Sequence, residues 1–349
     1  MSCFFYLLGD SWGEYGDAIH YLSLYNGNEA PYPWSQRLLT PYLSSILPFS
    51  PKINFLTINY TALALTSCLL FLLFDSKKNN ELKFLLLSLW FIAYPFTYNS
   101  TAIIRVDPIV YLGITLVFYL SKVYYNLFLN LFIICIFSFS HTLMIISSVF
   151  IAIFIFFDSN LFKVKKNYIH IFLYLLTPFS INYLFYLYFG SVDLQSNPLN
   201  NIKATIQYSN GIFTHTLRFV STFGPLFIVL FFYIIKTLNR DSLIIILCIS
   251  ITYFLSLLAA DTLRVASYSF IIVIYYSSKY LLELKRKNFI AFILTFIFSI
   301  IYFFVLGLNL KSIEDNLINL LILMSCLILI TFTLSFKFLN QLKNKIGKY

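Results

Sequence analysis

The stretch INFLTINYTALALTSCLLFLLF, residues 53–74, contains no charged residue and decides the fold class of this chain. As an α-helix it is about 33 Å long, which matches the roughly 30 Å hydrocarbon core of a membrane. Further apolar runs of similar character follow at 84–104, 168–190, 223–238, 242–260, 288–308 and 317–336. The sequence therefore predicts an α-helical protein that crosses a membrane several times.

The overall composition supports this prediction. The chain has 349 residues, of which 60% are hydrophobic and 11% are charged, whereas a soluble domain has about 25% charged residues. There is too little polar material to cover a soluble core, which excludes soluble enzymes, nucleic-acid-binding domains and disulfide scaffolds. The five cysteines show no metal-binding or disulfide spacing, so we interpret them as small core residues.

The region 109–157 is apolar but interrupted by polar residues, and it predicts three short or broken helices. These are expected at 109–121, 127–140 and 141–157. One more helix is expected at 265–278. The total is about eleven transmembrane helices, between about ten and twelve, in a single transmembrane domain that covers residues 1–349.

Basic residues between the apolar runs define the orientation of the chain. Clusters occur at Lys77/Lys78/Lys83, Lys163/Lys165/Lys166, Lys236 with Arg240, Lys279 to Lys287, and Lys337 to Lys348. With the helices above, all of these lie on one side, which the positive-inside rule makes cytoplasmic. Residues 9–52 and 191–222 then form the first and second extracytoplasmic loops.

Arginine does not follow the distribution of lysine. On this topology only three of 18 lysines are extracytoplasmic, whereas four of the six arginines are: Arg37, Arg105, Arg218 and Arg264. The arginine side chain presents a rigid, permanently charged fork that binds phosphate or carboxylate through paired hydrogen bonds. The four side chains are therefore candidate phosphate ligands.

The first outer loop begins with the acidic stretch GDSWGEYGDAIHYLSLYNG, residues 9–27. Residues 13–26 are predicted to form a helix on the membrane surface, with one polar and one apolar face. The polar face carries Asp10, Glu14, Asp17 and His20. We interpret Asp10 and Glu14 as solvated acidic groups and Asp17 as a candidate general base for a substrate hydroxyl. His20 is a possible polar group of the same cavity.

Other polar positions near predicted helix ends have two interpretations. His141, in SFSHTLM, either faces the cavity as a substrate ligand or bonds to a neighbouring backbone or hydroxyl group. Asp261 and Arg264, in AADTLRVASYSF, form either an ion pair or a phosphate site. We favour the site, because a short polar turn between apolar helices needs no charges. For Arg105 the structural alternative is an ion pair with Asp107.

The motif GDAIHYLSLYNG (16–27), followed by SQRLLTPYL (35–43), resembles the first outer loop of polyprenyl-phosphate-dependent membrane glycosyltransferases of the GT-C superfamily. In these enzymes that loop holds a catalytic aspartate close to a membrane-surface helix. The resemblance implies that Asp17 is this aspartate. The motif IIRVDP (103–108) would supply Asp107 as a second catalytic acidic residue on the next outer loop.

The resemblance also implies a function. The chain is expected to be a GT-C-like enzyme of surface polysaccharide biosynthesis, of the O-antigen or capsule type, in the cytoplasmic membrane of a bacterium. It would transfer a sugar or glycan from a polyprenyl-phosphate or polyprenyl-diphosphate donor at the outer face. The donor phosphate would be bound by Arg37, Arg105, Arg218 and Arg264.

Three alternatives stay open, one of which is a structural subunit of a larger complex, which nothing in the sequence excludes. O-antigen polymerases are similar, since arginines on their outer loops handle lipid diphosphates, so the chain could instead polymerise O-antigen or capsule repeat units. A transporter or flippase for lipid-linked glycans is the alternative from another class. It would need charged groups accessible from both sides and some internal symmetry, and the sequence has no repeat.

The expected partners are a polyprenyl-linked sugar donor, a lipid-linked or glycan acceptor and membrane lipids, without nucleic acid. No cofactor is certain from the sequence. The outer carboxylates could hold a divalent cation, but no paired ligand spacing predicts a metal site.

Overall fold

The computed structural model describes residues 17–31, 34–73, 80–101, 104–157, 167–189, 198–209, 211–258, 262–287 and 289–308. Throughout these ranges the regular secondary structure is helical, and no strand occurs within them. The prediction of an all-α chain is confirmed for this part of the sequence. The predicted helix at 317–336 and the side chains of Asp10, Glu14 and Asp261 lie outside the described residues.

The α-helices of the first half, as far as the structure describes it, are α1 (Asp17–Tyr25), α2 (Leu39–Ser45), α3 (Pro51–Leu73), α4 (Asn80–Ile92), α5 (Tyr94–Thr101), α6 (Asp107–Val123), α7 (Leu127–Ser138) and α8 (Ile146–Phe156). Those of the second half are α9 (Tyr168–Phe189), α10 (Pro198–Tyr208), α11 (Ile212–Ser221), α12 (Pro225–Thr237), α13 (Arg240–Leu257), α14 (Thr262–Ser267), α15 (Phe270–Lys287) and α16 (Phe289–Leu308). Short 3-10 helices at Trp34–Gln36 and Thr142–Ile145 precede α2 and α8.

Local sequence signals explain where several helices begin. Pro51 and Pro225 are the first residues of α3 and α12, where a missing backbone N–H costs no helical hydrogen bond. The side chain of Asn126 accepts a hydrogen bond from the first turn of α7. A reciprocal pair of hydrogen bonds between Asn239 and Ser242 caps α13. These helix starts are therefore specified by residues that satisfy or remove the unpaired N–H groups of the first turn.

Within the described residues, three helical segments are long and apolar enough to cross a membrane. They are α3, residues Tyr168–Phe185 of α9, and α13. The pair α11 and α12 qualifies together as a fourth, although the two helices are bent by 93° at their junction. Shorter apolar helices lie at Leu127–Ser138 and Leu143–Phe156, where the sequence predicts short helices. These helices are compatible with a membrane protein, and their number is smaller than the eleven crossings that were expected.

Two helices predicted as continuous are divided in the structure: the one expected at 84–104, and the one expected at 265–278, which is interrupted between α14 and α15. The single helix expected at 84–104 is divided into α4 and α5 at Ala93. Pro95 explains the break, because it has no N–H to donate to the preceding turn and its ring crowds that turn. The segment 191–222, predicted as an outer loop long enough for additional structure, contains α10 and α11.

The described helices bury polar side chains and expose apolar ones on the same helix. On α9, Phe179 and Tyr188 are 73% and 83% exposed, whereas Tyr174 and Thr177 face the bundle and are buried. Large exposed apolar side chains are costly in water and favourable against lipid. This distribution supports contact of α9 with an apolar environment.

The segment predicted as the first outer loop packs onto the bundle through a small apolar cluster. Ala18 and Tyr21 of α1 pack with Phe55 of α3 and with Ile104 and Val106, which flank Arg105. The beginning of α1 is thereby held against the beginning of α6. This contact brings charged residues of the first loop close to Asp107.

Candidate functional site

Asp17 is the central carboxylate of a charged cluster at the beginning of α1. Its Oδ1 accepts a hydrogen bond from the indole Nε1 of Trp34 at 3.0 Å. Its Oδ2 accepts a hydrogen bond from Nη1 of Arg264 at 2.8 Å. The same oxygen lies 3.6 Å from Nη1 of Arg37 and 3.6 Å from Nη1 of Arg105. Three guanidinium groups from three separate stretches of the chain thus converge on one oxygen atom.

Asp107 is the second carboxylate of the cluster and lies deeper. Its Oδ1 accepts a hydrogen bond from Nε of Arg264 at 2.6 Å and another from the hydroxyl of Tyr268. Its side chain is 1% exposed, and among the described residues its buried Oδ2 has no hydrogen-bond partner. As the first residue of α6, Asp107 also meets the positive end of the helix dipole. We call Asp17, Arg37, Arg105, Asp107 and Arg264 the arginine–aspartate cluster.

Arg264 connects the two carboxylates and fixes the geometry of the cluster. Its Nε binds Asp107 and its Nη1 binds Asp17, and these partners are 157 and 247 residues away in the sequence. Its Nη2 donates to the hydroxyl of Tyr21 at 3.4 Å, and the same hydroxyl accepts from Nη1 of Arg37 at 2.7 Å. Tyr21 therefore sets the separation of two guanidinium groups of like charge.

The exposure of the side chains defines the direction from which a ligand can approach. Arg105 and Asp17 are 25% and 24% exposed, and Arg37 is 12% exposed. Arg264 is only 6% exposed, and Asp107 is buried beneath it. A ligand therefore reaches Asp17 and Arg105 first, while the pair of Arg264 and Asp107 forms the floor of the site.

The environment of Asp17 keeps it ionised. Burial alone would raise the pKa of its carboxyl group. The positive charges of Arg264, Arg37 and Arg105, with the hydrogen bond from Trp34, outweigh burial and hold the pKa of Asp17 below its usual value. Asp17 is therefore an anion at neutral pH, and a carboxylate stabilised in this way is a weak base.

His20 and His141 have different positions relative to the cluster. His20 stacks on Trp34 with ring centroids 4.0 Å apart, so it flanks the indole that binds Asp17. His141 is 6% exposed, and its Nδ1 accepts a hydrogen bond from the backbone N–H of Leu143 at 3.1 Å. His141 thus caps a 3-10 helix, in agreement with the backbone-bonded interpretation.

The structure places Arg218 in another part of the second loop. Arg218 lies in the last turn of α11, close to His215 on the same helix. His215 contacts the hydroxyl groups of Ser256 at 3.0 Å and Thr262 at 3.1 Å. Among the described contacts, Arg218 does not join the arginine–aspartate cluster. The other three outer arginines do.

An apolar cavity of about 480 Å³ lies between α1, α2 and the end of α7. Its lining includes Leu24, Tyr25, Leu38, Leu39, Ile136 and Phe139. The N–H of Leu39 donates to the carbonyl oxygen of Phe139 at 3.0 Å and fastens α2 to the end of α7. Leu38 directly follows Arg37 in the sequence, so this α1/α2 groove begins one residue from the cluster.

Sequence reasoning missed the aromatic residues that hold the cluster together: Tyr21, Trp34 and Tyr268. Two of them were detectable by helical spacing, because Tyr21 follows Asp17 by one turn and Tyr268 follows Arg264 by one turn. Within the described part of the chain, no three His, Cys, Asp or Glu side chains gather in a way that could hold a metal ion.

Comparison of the chain with protein-family models, with curated proteins and with solved structures gives no match.

Proposed function

We propose that this chain is a membrane glycosyltransferase of surface polysaccharide biosynthesis that uses a polyprenyl-phosphate or polyprenyl-diphosphate donor. The observation that carries the proposal is the convergence of Arg37, Arg105 and Arg264 on Asp17 beside the apolar α1/α2 groove. A lipid phosphate has the two matching parts, an anionic head group and an apolar tail. Guanidinium groups bind phosphate oxygens through paired, charge-assisted hydrogen bonds.

In the proposed reaction the donor phosphate lies against Arg37 and Arg105, and its lipid enters the α1/α2 groove. The acceptor hydroxyl oxygen attacks the anomeric carbon of the donor sugar. The bond from that carbon to the phosphate oxygen breaks, and the phosphate leaves with the bonding electrons. The proton of the acceptor hydroxyl passes to Asp17.

The remaining charged residues of the cluster act on the leaving group. The arginines stabilise the negative charge that develops on the departing phosphate, an effect worth about 100-fold or more in rate for a single well-placed donor. Asp107 holds Arg264 in place through the bond to Nε. In this scheme Asp107 keeps the buried guanidinium oriented toward Asp17.

The proposal includes a membrane topology of about eleven crossings, with residues 9–52 and 191–222 at the outer face of a bacterial cytoplasmic membrane. In a cysteine-free background, Tyr42→Cys and Leu238→Cys place thiols at positions that are 64% and 79% exposed. An impermeant maleimide added to intact cells should label position 42 and leave position 238 unlabelled. Labelling of position 238 alone would reverse the orientation and remove the basis for an outer active site.

The function is tested by the surface glycan of a deletion strain complemented with wild type, Asp17→Asn or Glu81→Gln. Glu81 is a matched control because its exposed carboxylate pairs with Lys285, away from the cluster. We expect the deletion to truncate the glycan, and wild type and Glu81→Gln to restore it. Asp17→Asn should fail to restore it at unchanged protein level, because general-base help is worth about 100-fold or more.

The form of the truncated glycan separates the kinds of transfer. Loss of one sugar identifies a single transferase, whereas a single-repeat product identifies a polymerase of repeat units. An unchanged glycan profile in the deletion strain would contradict the proposed function.

A further inference from the structure

Asp17 occupies the position in which a bound phosphate oxygen would be expected. All three cluster arginines contact the same atom, Oδ2, whereas Oδ1 is held by Trp34. A simple ion pair needs one guanidinium, and three of them repel one another unless an anion lies between them. The carboxylate therefore acts as the anion that assembles Arg37, Arg105 and Arg264 in this structure.

The contacts to Oδ2 are unequal, and the inequality divides the cluster into a fixed and an exchangeable part. Arg264 is hydrogen-bonded to Asp17 at 2.8 Å and is also bound to the buried Asp107 at 2.6 Å. Arg37 and Arg105 approach Oδ2 only to 3.6 Å, beyond ordinary hydrogen-bond distance. Their attraction to Asp17 is therefore electrostatic, and a second anion can replace Asp17 there while Asp107 keeps Arg264 in place.

The exchangeable part is also the exposed part. Arg105 and Asp17 are 25% and 24% exposed, whereas Asp107 is 1% exposed. A phosphate that enters from the open side meets Arg105 and Asp17 before it meets Arg264. Its non-bridging oxygens point in several directions, and a diphosphate or a free phosphate also carries more negative charge than a carboxylate, so it can satisfy several guanidinium groups at once.

We propose that Asp17 is an exchangeable counter-anion, which a phosphate group displaces from Arg37 and Arg105 when it binds. This inference rests on the proposed function, since it concerns the same phosphate site. Displacement frees the carboxylate that the proposed reaction uses as its base. The base is therefore released only when the donor phosphate is in place.

The electrostatics of Asp17 agree with this coupling. Burial raises the pKa of Asp17, but the arginine charges lower it further, so in the free protein the carboxylate is a weak base. A bound phosphate neutralises the charges of Arg37 and Arg105, so the pKa of Asp17 then rises from its lowered value. Proton uptake by Asp17 is thus favoured in the complex and disfavoured without it.

The test is phosphate affinity, measured with the full-length protein in phosphatidylcholine nanodiscs. The probes are inorganic phosphate and a polyprenyl monophosphate, and the proteins are wild type, Asp17→Asn, Trp34→Phe and the control Glu81→Gln. Removal of the internal competitor should tighten phosphate binding by Asp17→Asn roughly 5- to 100-fold, the usual range for coupled binding. Trp34→Phe frees Oδ1 and should tighten binding less, and Glu81→Gln should leave the affinity unchanged.

The outcomes separate this inference from the proposed function. Tighter binding of both probes by Asp17→Asn supports exchange with a phosphate from either source, and tighter binding of the lipid probe alone supports exchange with a lipid head group. Equal or weaker binding by both Asp17→Asn and Trp34→Phe overturns the exchange and leaves the phosphate site intact. If neither probe binds to the wild type or to any variant, the phosphate site itself is overturned. Trp34→Phe retains all charges, so it decides the question if Asp17→Asn fails to fold.

Discussion

The charged residues near the two ends of α15 differ in how they are paired and in how deeply they are buried. Near its N-terminal end, three arginines share two aspartates, and the deepest pair joins Arg264 to Asp107 with both side chains nearly inaccessible. Near its C-terminal end, lysines pair with single acids in exposed positions, as Lys285 does with Glu81. The other described lysine pairs are Lys236 with Glu283, in which both side chains are exposed, and Lys279 with Asp241, in which the carboxylate is 23% exposed.

The folded structure therefore depends to different degrees on these two groups of charged residues. Exposed one-to-one pairs are screened by water and contribute little to stability. A buried guanidinium that bridges two carboxylates is costly to place and costly to disturb.

Arg264→Gln should destabilise the protein by about 3–5 kcal/mol, because it leaves the buried carboxylate of Asp107 without its counter-charge. The measurement is equilibrium or thermal unfolding of the purified protein in detergent. Arg240→Gln is the matched control, since Arg240 is exposed at the start of α13. A loss below about 1 kcal/mol, typical of an exposed pair, would contradict the structural importance assigned to Arg264.

Tyr21→Phe should weaken phosphate binding and lower stability by about 1–3 kcal/mol. It removes a buried hydroxyl that accepts hydrogen bonds from Arg37 at 2.7 Å and Arg264 at 3.4 Å, and buried donors left unpaired cost this amount. The affinity for inorganic phosphate and the unfolding temperature check the two effects. Tyr25→Phe is a control on the same helix, since the Tyr25 hydroxyl binds Asn54 instead. An equal affinity loss in both variants would rule out the specific role of Tyr21.

The stability that Asp17 contributes should depend on pH only in acid. Its pKa is lowered below the ordinary value of 3.8 in the folded protein, so the contribution is present above that ordinary value and is lost as the pH falls through the folded-state pKa. The difference in unfolding temperature between wild type and Asp17→Asn should be constant from about pH 5 to 8 and shrink below about pH 4. A difference that shrinks between pH 5 and 7 would show that the pKa of Asp17 is raised.

Glu81→Gln should change stability by only about 0–1 kcal/mol, because Glu81 and Lys285 are 58% and 35% exposed. The same unfolding assay, run at low and high salt, checks this prediction. A larger loss that persists in high salt would mean that the C-terminal end of α15 depends on its charges as the arginine–aspartate cluster does.

The helices were largely predictable from the sequence. The uncharged run at 53–74 corresponds to α3, and the polar interruptions of 109–157 separate α6, α7 and α8. Pro95 predicts a kink in the helix expected at 84–104, whereas the structure divides that helix completely at Ala93. Helix formation depends on local patterns, and such patterns are visible in a single sequence.

The composition of the cluster was also predictable, whereas its pairing was not. Residue type and predicted side of the membrane selected Asp17 and four arginines, of which Arg37, Arg105 and Arg264 join the cluster, and Asp107 was selected through the family resemblance. The sequence suggested an ion pair between the neighbouring residues Arg105 and Asp107. In the structure the described ion pair of Arg105 is with Asp17, and Asp107 binds Arg264. Arg264 is 157 residues from Asp107 and 247 residues from Asp17, and helical periodicity in a sequence gives no information about contacts over such separations.

The most direct test of the proposed lipid-phosphate site is photocrosslinking with a polyprenyl diphosphate that carries a photoreactive group near the head of its lipid. The proposal predicts crosslinks to peptides that contain Leu38, Leu39 or Phe139 of the α1/α2 groove, and fewer crosslinks in Arg105→Gln. Crosslinks confined to exposed residues outside the groove, such as Tyr188, and unaffected by Arg105→Gln, would contradict it.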